Sequence, residues 1–122
     1  MKTNEANENR IEIEFCKRKL QSPFILTSGP LCYSAEGMIK GHQAGAGAVV
    51  TKTIRLSPAI NPIGHIARFG QNSLLNAEKW ADIPFDQWCE VEIPQAVASG
   101  ATVIASVGHT LKEAKAIVGE VE

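Results

Sequence analysis

The chain has 122 residues, 44% hydrophobic and 20% charged, with a formal net charge of -1. One modest globular domain accounts for that length and composition, and intrinsic disorder does not. The near-neutral balance gives no electrostatic case for nucleic acid or an anionic membrane surface, and no apolar run approaches a membrane span.

Residues 1–10, "MKTNEANENR", are polar, lack the apolar core of a signal peptide, and read as a frayed leader to a cytoplasmic protein. "IEIEFC" (11–16) alternates apolar and polar residues, the period of a strand with one wet face. "KRK" reads as its charged turn. "PFILTS" (23–28) is a continuous apolar run, predicting a strand buried on both faces. Ser34 is placed to cap a helix over "AEGMIKGHQAGA", with Met38 and Ile39 on its apolar side and Gly45 or Gly47 ending it.

"AVVTK" (48–52) predicts the next buried strand. A long loop from Ile54 to about Ile83 follows, rich in Pro, Gly and Asn. Such loops usually carry function or short elements of their own. Asp86 is placed to cap a helix over "QWCEVEIPQAVAS", with Trp88, Val91 and Val97 near one face and a kink at Pro94. Gly100 stops it. "ATVIASVG" (101–108) predicts a third buried strand. Thr110 and Glu113 have capping-box spacing ahead of a helix with Leu111, Ala114, Ile117, Val118 and Val121 at helical intervals.

Apolar strands alternating with helices predict a parallel α/β fold. The order fits an open doubly wound sheet or the start of a (β/α)8 barrel, which needs about 250 residues in full. The three cysteines, Cys16, Cys32 and Cys89, form no C-x-x-C pair and read as small semi-buried thiols. No His and carboxylate set has metal spacing, and neither a P-loop nor a dinucleotide fingerprint is present.

The strand ends concentrate chemistry. "LTSGP", "VTKT" and "SVGHT" place hydroxyl groups and Gly at the carboxyl ends of apolar strands, the edge where parallel α/β folds bind ligands. Helix caps and tight turns explain the same residues, Thr110 above all. Lys52 at a strand end calls for a carboxylate, a phosphate or an electron-rich ring edge, unless it snorkels to the surface. In "NSLLNAEKW", Asn76 offers a donor and an acceptor suited to an amide edge, and Glu78 shares its direction if the segment is extended; turn chemistry is the other reading. His42 and His65 read as solvated, and His109 as a neighbour of a helix cap.

Taken in order, "SPFILTSGP", "GAGAVVTKTI" with "NP" after it, and "SLLNAEKW" resemble the N-terminal part of the dihydroorotate dehydrogenase family of FMN-dependent (β/α)8 barrels. "SLLNAEKWADIPFDQWCE" is more similar to the FMN barrel domain of dihydropyrimidine dehydrogenases. The resemblance runs from about Ile11 to the end of the chain. It implies three βα units plus an N-terminal hairpin, an incomplete barrel over residues 11–122. It implies FMN contacts from Thr27, Ser28, Gly29, Lys52 and Thr53, and pyrimidine contacts from Lys52, Asn76 and Glu78. The implied reaction interconverts a 5,6-dihydropyrimidine and its pyrimidine, the flavin carrying the hydride chemistry.

The family pattern N-x-x-G-L-x-N is broken here, with Lys79 for its Gly and Asp82 for its second Asn. The family's catalytic Cys or Ser follows the fourth strand, and no residue of this chain matches it. The expectation is a fragment inactive alone, completed by a missing half or a second chain. A small non-catalytic α/β binding module and another kind of FMN barrel, such as a glycolate-oxidase-like one, are the alternatives.

Overall fold

The computed structural model describes residues 11–121; the expected leader, residues 1–10, lies outside them. The chain opens with a hairpin, β1 (Ile13–Phe15) and β2 (Arg18–Leu20), paired antiparallel with Phe15 opposite Arg18. The turn is Cys16–Lys17, not "KRK": both residues have positive φ, 50° and 61°. Two such residues match the right-handed twist of the flanking strands, so Arg18 and Lys19 become strand residues.

Three parallel strands follow, β3 (Ile25–Leu26), β4 (Ala48–Val50) and β7 (Val103–Ile104), in the sheet order β3-β4-β7. The register sets Leu26 beside Val49 and Val49 beside Val103. Helix α1 (Ala35–Gln43) crosses from β3 to β4, and α4 (Leu111–Val121) follows β7. Among the described residues, three strand–helix units preceded by a hairpin are therefore present, as an open mixed α/β arrangement with no closed sheet. The strands are shorter than their apolar runs. Ile25, Leu26, Val103 and Ile104 are half-buried, not buried on both faces. β3 and β7 are edges of this sheet, so each has a strand neighbour on one side only.

Ser34 caps α1 as its sequence predicts, its side chain accepting from the Gly37 N–H. Gly45 leaves the helix at φ 105°, which glycine adopts without steric cost. Gly47 then runs so close to the chain at Ser22 that a Cβ would collide with the Ser22 carbonyl. The Gly47 N–H donates to the Phe24 carbonyl at 2.8 Å, which seats β4 against β3.

Between β4 and β7 the long connection contains a second hairpin, β5 (Ile66–Phe69) and β6 (Ser73–Asn76). Its large apolar side chains stand in solvent: Ile66, Phe69, Leu74 and Leu75 are all exposed. A helix follows in three segments, α2 (Phe85–Gln87), a π-helical turn (Trp88–Glu92) and α3 (Ile93–Ala98). It starts at Phe85 with Pro84 at the cap. Asp86 lies inside the first turn, and its carboxylate accepts from the Gln87 N–H. Pro94 has no N–H to continue the ladder. The turn before it widens, with the Ile93 N–H reaching the Trp88 carbonyl.

The buried face of this helix is Trp88, Glu92 and Ala96; Val91 and Val97, expected there, are exposed. Trp88 anchors a core with Met38, Val49, Ile54 and Ile117. Truncating a tryptophan so placed costs about 3–5 kcal/mol. In α4 only Ile117 is fully buried, and Leu111 and Val118 are exposed. Thr110 accepts from the Glu113 N–H, half of a capping box; the Glu113 carboxylate instead accepts from the Leu56 N–H. Among the described residues no helix is long and apolar enough to cross a membrane, and no cluster of His, Cys, Asp and Glu could hold a metal.

Glu92 is a buried carboxylate with a structural task. Its Oε2 accepts from the Ala35 N–H at 2.5 Å and its Oε1 from Gln87 Nε2 at 2.8 Å. It fills an open donor at the N-terminus of α1, where a negative charge is favoured. Glu92→Ala leaves that N–H buried and unpaired, and is expected to lower unfolding free energy by about 1–3 kcal/mol. Glu92→Gln, which keeps an acceptor, is expected to lose less; urea titration of the two variants gives the comparison.

Candidate functional site

The carboxyl end of β4 is held on both sides by its backbone. The Lys52 N–H donates to the Cys32 carbonyl at 3.0 Å, and the Thr51 and Ile54 N–H groups donate to the Ile104 and Ser106 carbonyls at 2.9 and 2.7 Å. The buried Thr51 hydroxyl accepts from the Ser106 N–H at 2.9 Å. A parallel bridge pairs Ile54 with Val107. These bonds fix the backbone at Lys52, and the residue is only 8% exposed, so it does not stand out from the surface as a snorkelling lysine would.

Its ammonium meets Glu78 Oε1 at 2.5 Å. Glu78 reaches that position through the hairpin β5–β6 and the segment after it. Asn76 Oδ1 accepts from the Glu78 N–H at 2.9 Å, bending the chain at the end of β6. Asn61 then clamps the segment: its Oδ1 accepts from the Lys79 N–H at 2.5 Å and its Nδ2 donates to Asp82 Oδ2 at 3.0 Å. The Ala59 N–H donates to the Ala81 carbonyl as well. The hydrogen bond from Lys52 holds the Glu78 carboxyl below its ordinary range, its partial burial working the other way.

Two small cavities lie along this ion pair. One, about 330 Å3, is lined by Ser28, Gly29, Lys52, Thr53 and Trp80. The other, about 310 Å3, is lined by Arg55, Ala59, Glu78, Lys79, Trp80 and His109. Trp80 forms a wall of both. The two are at the lower end of small-molecule site volumes. Larger grooves lie elsewhere: an apolar one of about 490 Å3 between β3 and α1, and a mixed one of about 730 Å3 beside β2 and β7, with Arg18 and Thr102 in its lining.

Of the residues that the sequence marks, Ser28, Gly29, Lys52 and Thr53 thus share one cavity, with Glu78 joined to it through Lys52. Thr53 Oγ1 is 3.4 Å from Ser106 Oγ, so a second hydroxyl sits at the same strand ends. Thr27 is exposed and outside the lining of either cavity. Asn76 is exposed too, and its side-chain oxygen serves the turn that presents Glu78. Trp80 and Arg55 are lining residues that sequence reasoning passed over, while the sequence marks Lys79 only as a departure from the family pattern and His109 only as a neighbour of a helix cap. Trp80 alone had a local signal, a large aromatic two positions beyond Glu78. The cysteines are free thiols, Cys16 exposed, Cys32 buried and Cys89 between; burial pushes the Cys32 and Cys89 thiols up, away from the thiolate form a nucleophile needs. The chain matches no protein-family model.

The depressed Glu78 carboxyl carries a pH dependence with a definite sign. Its folded pKa lies below the unfolded value, so its stabilisation is complete above the ordinary glutamate range, about 4.3. It is lost as pH falls through the folded value. Glu78→Gln is expected to be less stable than the parent chain at pH 7 and to lose less stability on acidification to pH 3. Urea unfolding at the two pH values measures this; equal acid losses in both proteins would dismiss the pair as a stabilising contact.

Proposed function

We propose that the chain is part of an FMN-dependent (β/α)8 oxidoreductase acting on the CH–CH bond of a dihydropyrimidine, and that further strands must complete the site. The observation that carries this reading is the convergence of Ser28, Gly29, Lys52 and Thr53 on one cavity, at the carboxyl ends of the two neighbouring parallel strands β3 and β4. The resemblance of "LTSGP", "VTKT" and "NAEKW" to the dihydroorotate dehydrogenase family gives the flavin and the pyrimidine.

The donor set suits a flavin ring edge. Lys52 spends one of its three N–H donors on Glu78 and keeps two for a ligand. Two hydroxyls, Ser28 and Thr53, stand beside it, and Gly29 adds no side chain to the cavity. Bound there, a flavin would supply the hydride acceptor for the dihydropyrimidine carbon. This chain's own part is to bind and orient: Lys52 holds positive charge at the ring edge, Glu78 keeps the ammonium in place, and Trp80 shields one side from water. No proton-transferring Cys or Ser is assigned in it.

Exposed apolar surface favours the incomplete barrel over a self-sufficient binding module. Phe24 and Leu31 stand in solvent beside the edge strand β3, 74% and 68% exposed, and line the apolar groove there. A self-contained module would bury them against its own residues.

The test is a titration of the purified chain with FMN, followed by quenching of flavin fluorescence. Saturable binding in the millimolar range is expected, abolished by Lys52→Ala, with no oxidation of dihydrouracil or dihydroorotate. Micromolar or tighter binding with turnover would refute the incomplete barrel. Quenching that never saturates, or that Lys52→Ala leaves unchanged, would refute the flavin site.

A further inference from the structure

The second cavity gathers nitrogen donors from three separate segments. Arg55 lies just past β4, Lys79 follows the exposed hairpin, and His109 follows β7. The acid in its lining, Glu78, is already paired with Lys52 at 2.5 Å. Arg55 is incompletely satisfied. Its Nε is buried and, among the described residues, has no hydrogen-bond partner. Glu113 Oε1 is 3.5 Å away, and that oxygen already accepts from the Leu56 N–H at 2.9 Å. A guanidinium that is charged at all working pH values thus sits in a cavity wall with donors in excess of acceptors.

His109 adds a second, independent sign. Its backbone is at φ 105°, a conformation that non-glycine residues rarely adopt and that costs of order 1–3 kcal/mol. Trp80, 60% exposed, closes the cavity with a flat apolar face.

We propose that this cavity is an oxyanion-binding site, distinct from the Lys52 cavity, that takes a small organic carboxylate or phosphate monoester. Arg55 and Lys79 supply the charged donors, His109 a ring N–H, and Trp80 the surface on which a planar body lies. Arg55, near Glu113 at 3.5 Å but with its Nε lacking a hydrogen-bond partner, and Lys79 bring two cations to a lining whose one acid is paired with Lys52, which favours an anion over a cation. The volume of about 310 Å3 limits the ligand to a small molecule. The site needs no flavin, so it stands or falls separately from the oxidoreductase reading.

Two-dimensional NMR titration of the full chain tests it, with sodium benzoate, acetate and inorganic phosphate each compared with sodium chloride at equal ionic strength. The expected result is a saturable shift of the Trp80 indole N–H and of the His109 amide with benzoate or phosphate, and none with chloride. The tighter of these two probes names the source of the oxyanion. Benzoate is expected to bind more tightly than acetate because of Trp80. Lys79 is exposed, so Lys79→Gln should fold normally, and it is expected to weaken binding about tenfold, the equivalent of one charge-assisted hydrogen bond. Ser28→Ala, in the neighbouring cavity, should leave it unchanged. Shifts that grow linearly with every salt, or an unchanged affinity in Lys79→Gln, would overturn the site.

Discussion

A charge at the end of a buried strand must be met, and in this fold Glu78 meets it. Lys52 is fixed in place by backbone bonds to the loop after β3 on one side and to the β7 segment on the other. Its side chain is largely buried, and leaving a buried ammonium unpaired is costly. The carboxylate comes from 26 residues further on. The intervening excursion, with its exposed hairpin, the turn at Asn76 and the clamp at Asn61, is the machinery that delivers it. The same delivery brings Lys79 and Trp80 to the strand ends, so the ion pair organises both cavities.

The fold was legible where a local pattern decides the outcome. Apolar runs separated by helical spacing specify parallel strand–helix units whatever their partners, and Ser34 and Gly45 bound α1 through chemistry confined to a few residues. Strand length was not legible, because pairing depends on a neighbour strand. Residues 23–28 can pair only along β4, and only Ile25 and Leu26 do. The first turn was misplaced by one step because its two left-handed residues are Cys16 and Lys17, not the Asn-Gly that normally announces such a turn. Glu92 was invisible for a different reason. A glutamate on a helix reads as solvated, and only the approach of α1, 57 residues away in sequence, makes it a buried cap.

The site divides in the same way. Ser28, Gly29, Lys52 and Thr53 could be read together because a parallel sheet places all its strand ends on one edge, so topology alone makes them neighbours. Arg55, Lys79 and His109 come from loops whose paths no periodicity describes. Asn76 does what the second of its two sequence readings described. An amide with both donor and acceptor suits ligand recognition, yet its oxygen is engaged by the backbone two residues on, a frequent use of Asn in turns. Its Nδ2 donors are not engaged by that turn.

The proposed oxidoreductase reading makes the sheet edges part of the chemistry. Lys52 and Glu78 now lie in a partly wet setting, with side-chain exposures of 10% and 22%, where solvent screens their attraction. Strands added at the free edges, with a ring laid over Trp80, would remove that water. The pair would strengthen as the local dielectric falls, and the ammonium would be held more rigidly against whatever electron-rich edge it faces. The two ammonium donors not spent on Glu78 would then be left to the ligand. Closing the sheet therefore does more than cover exposed leucines and phenylalanines. On that proposal it would turn a partly screened lysine into a more rigidly held positive charge.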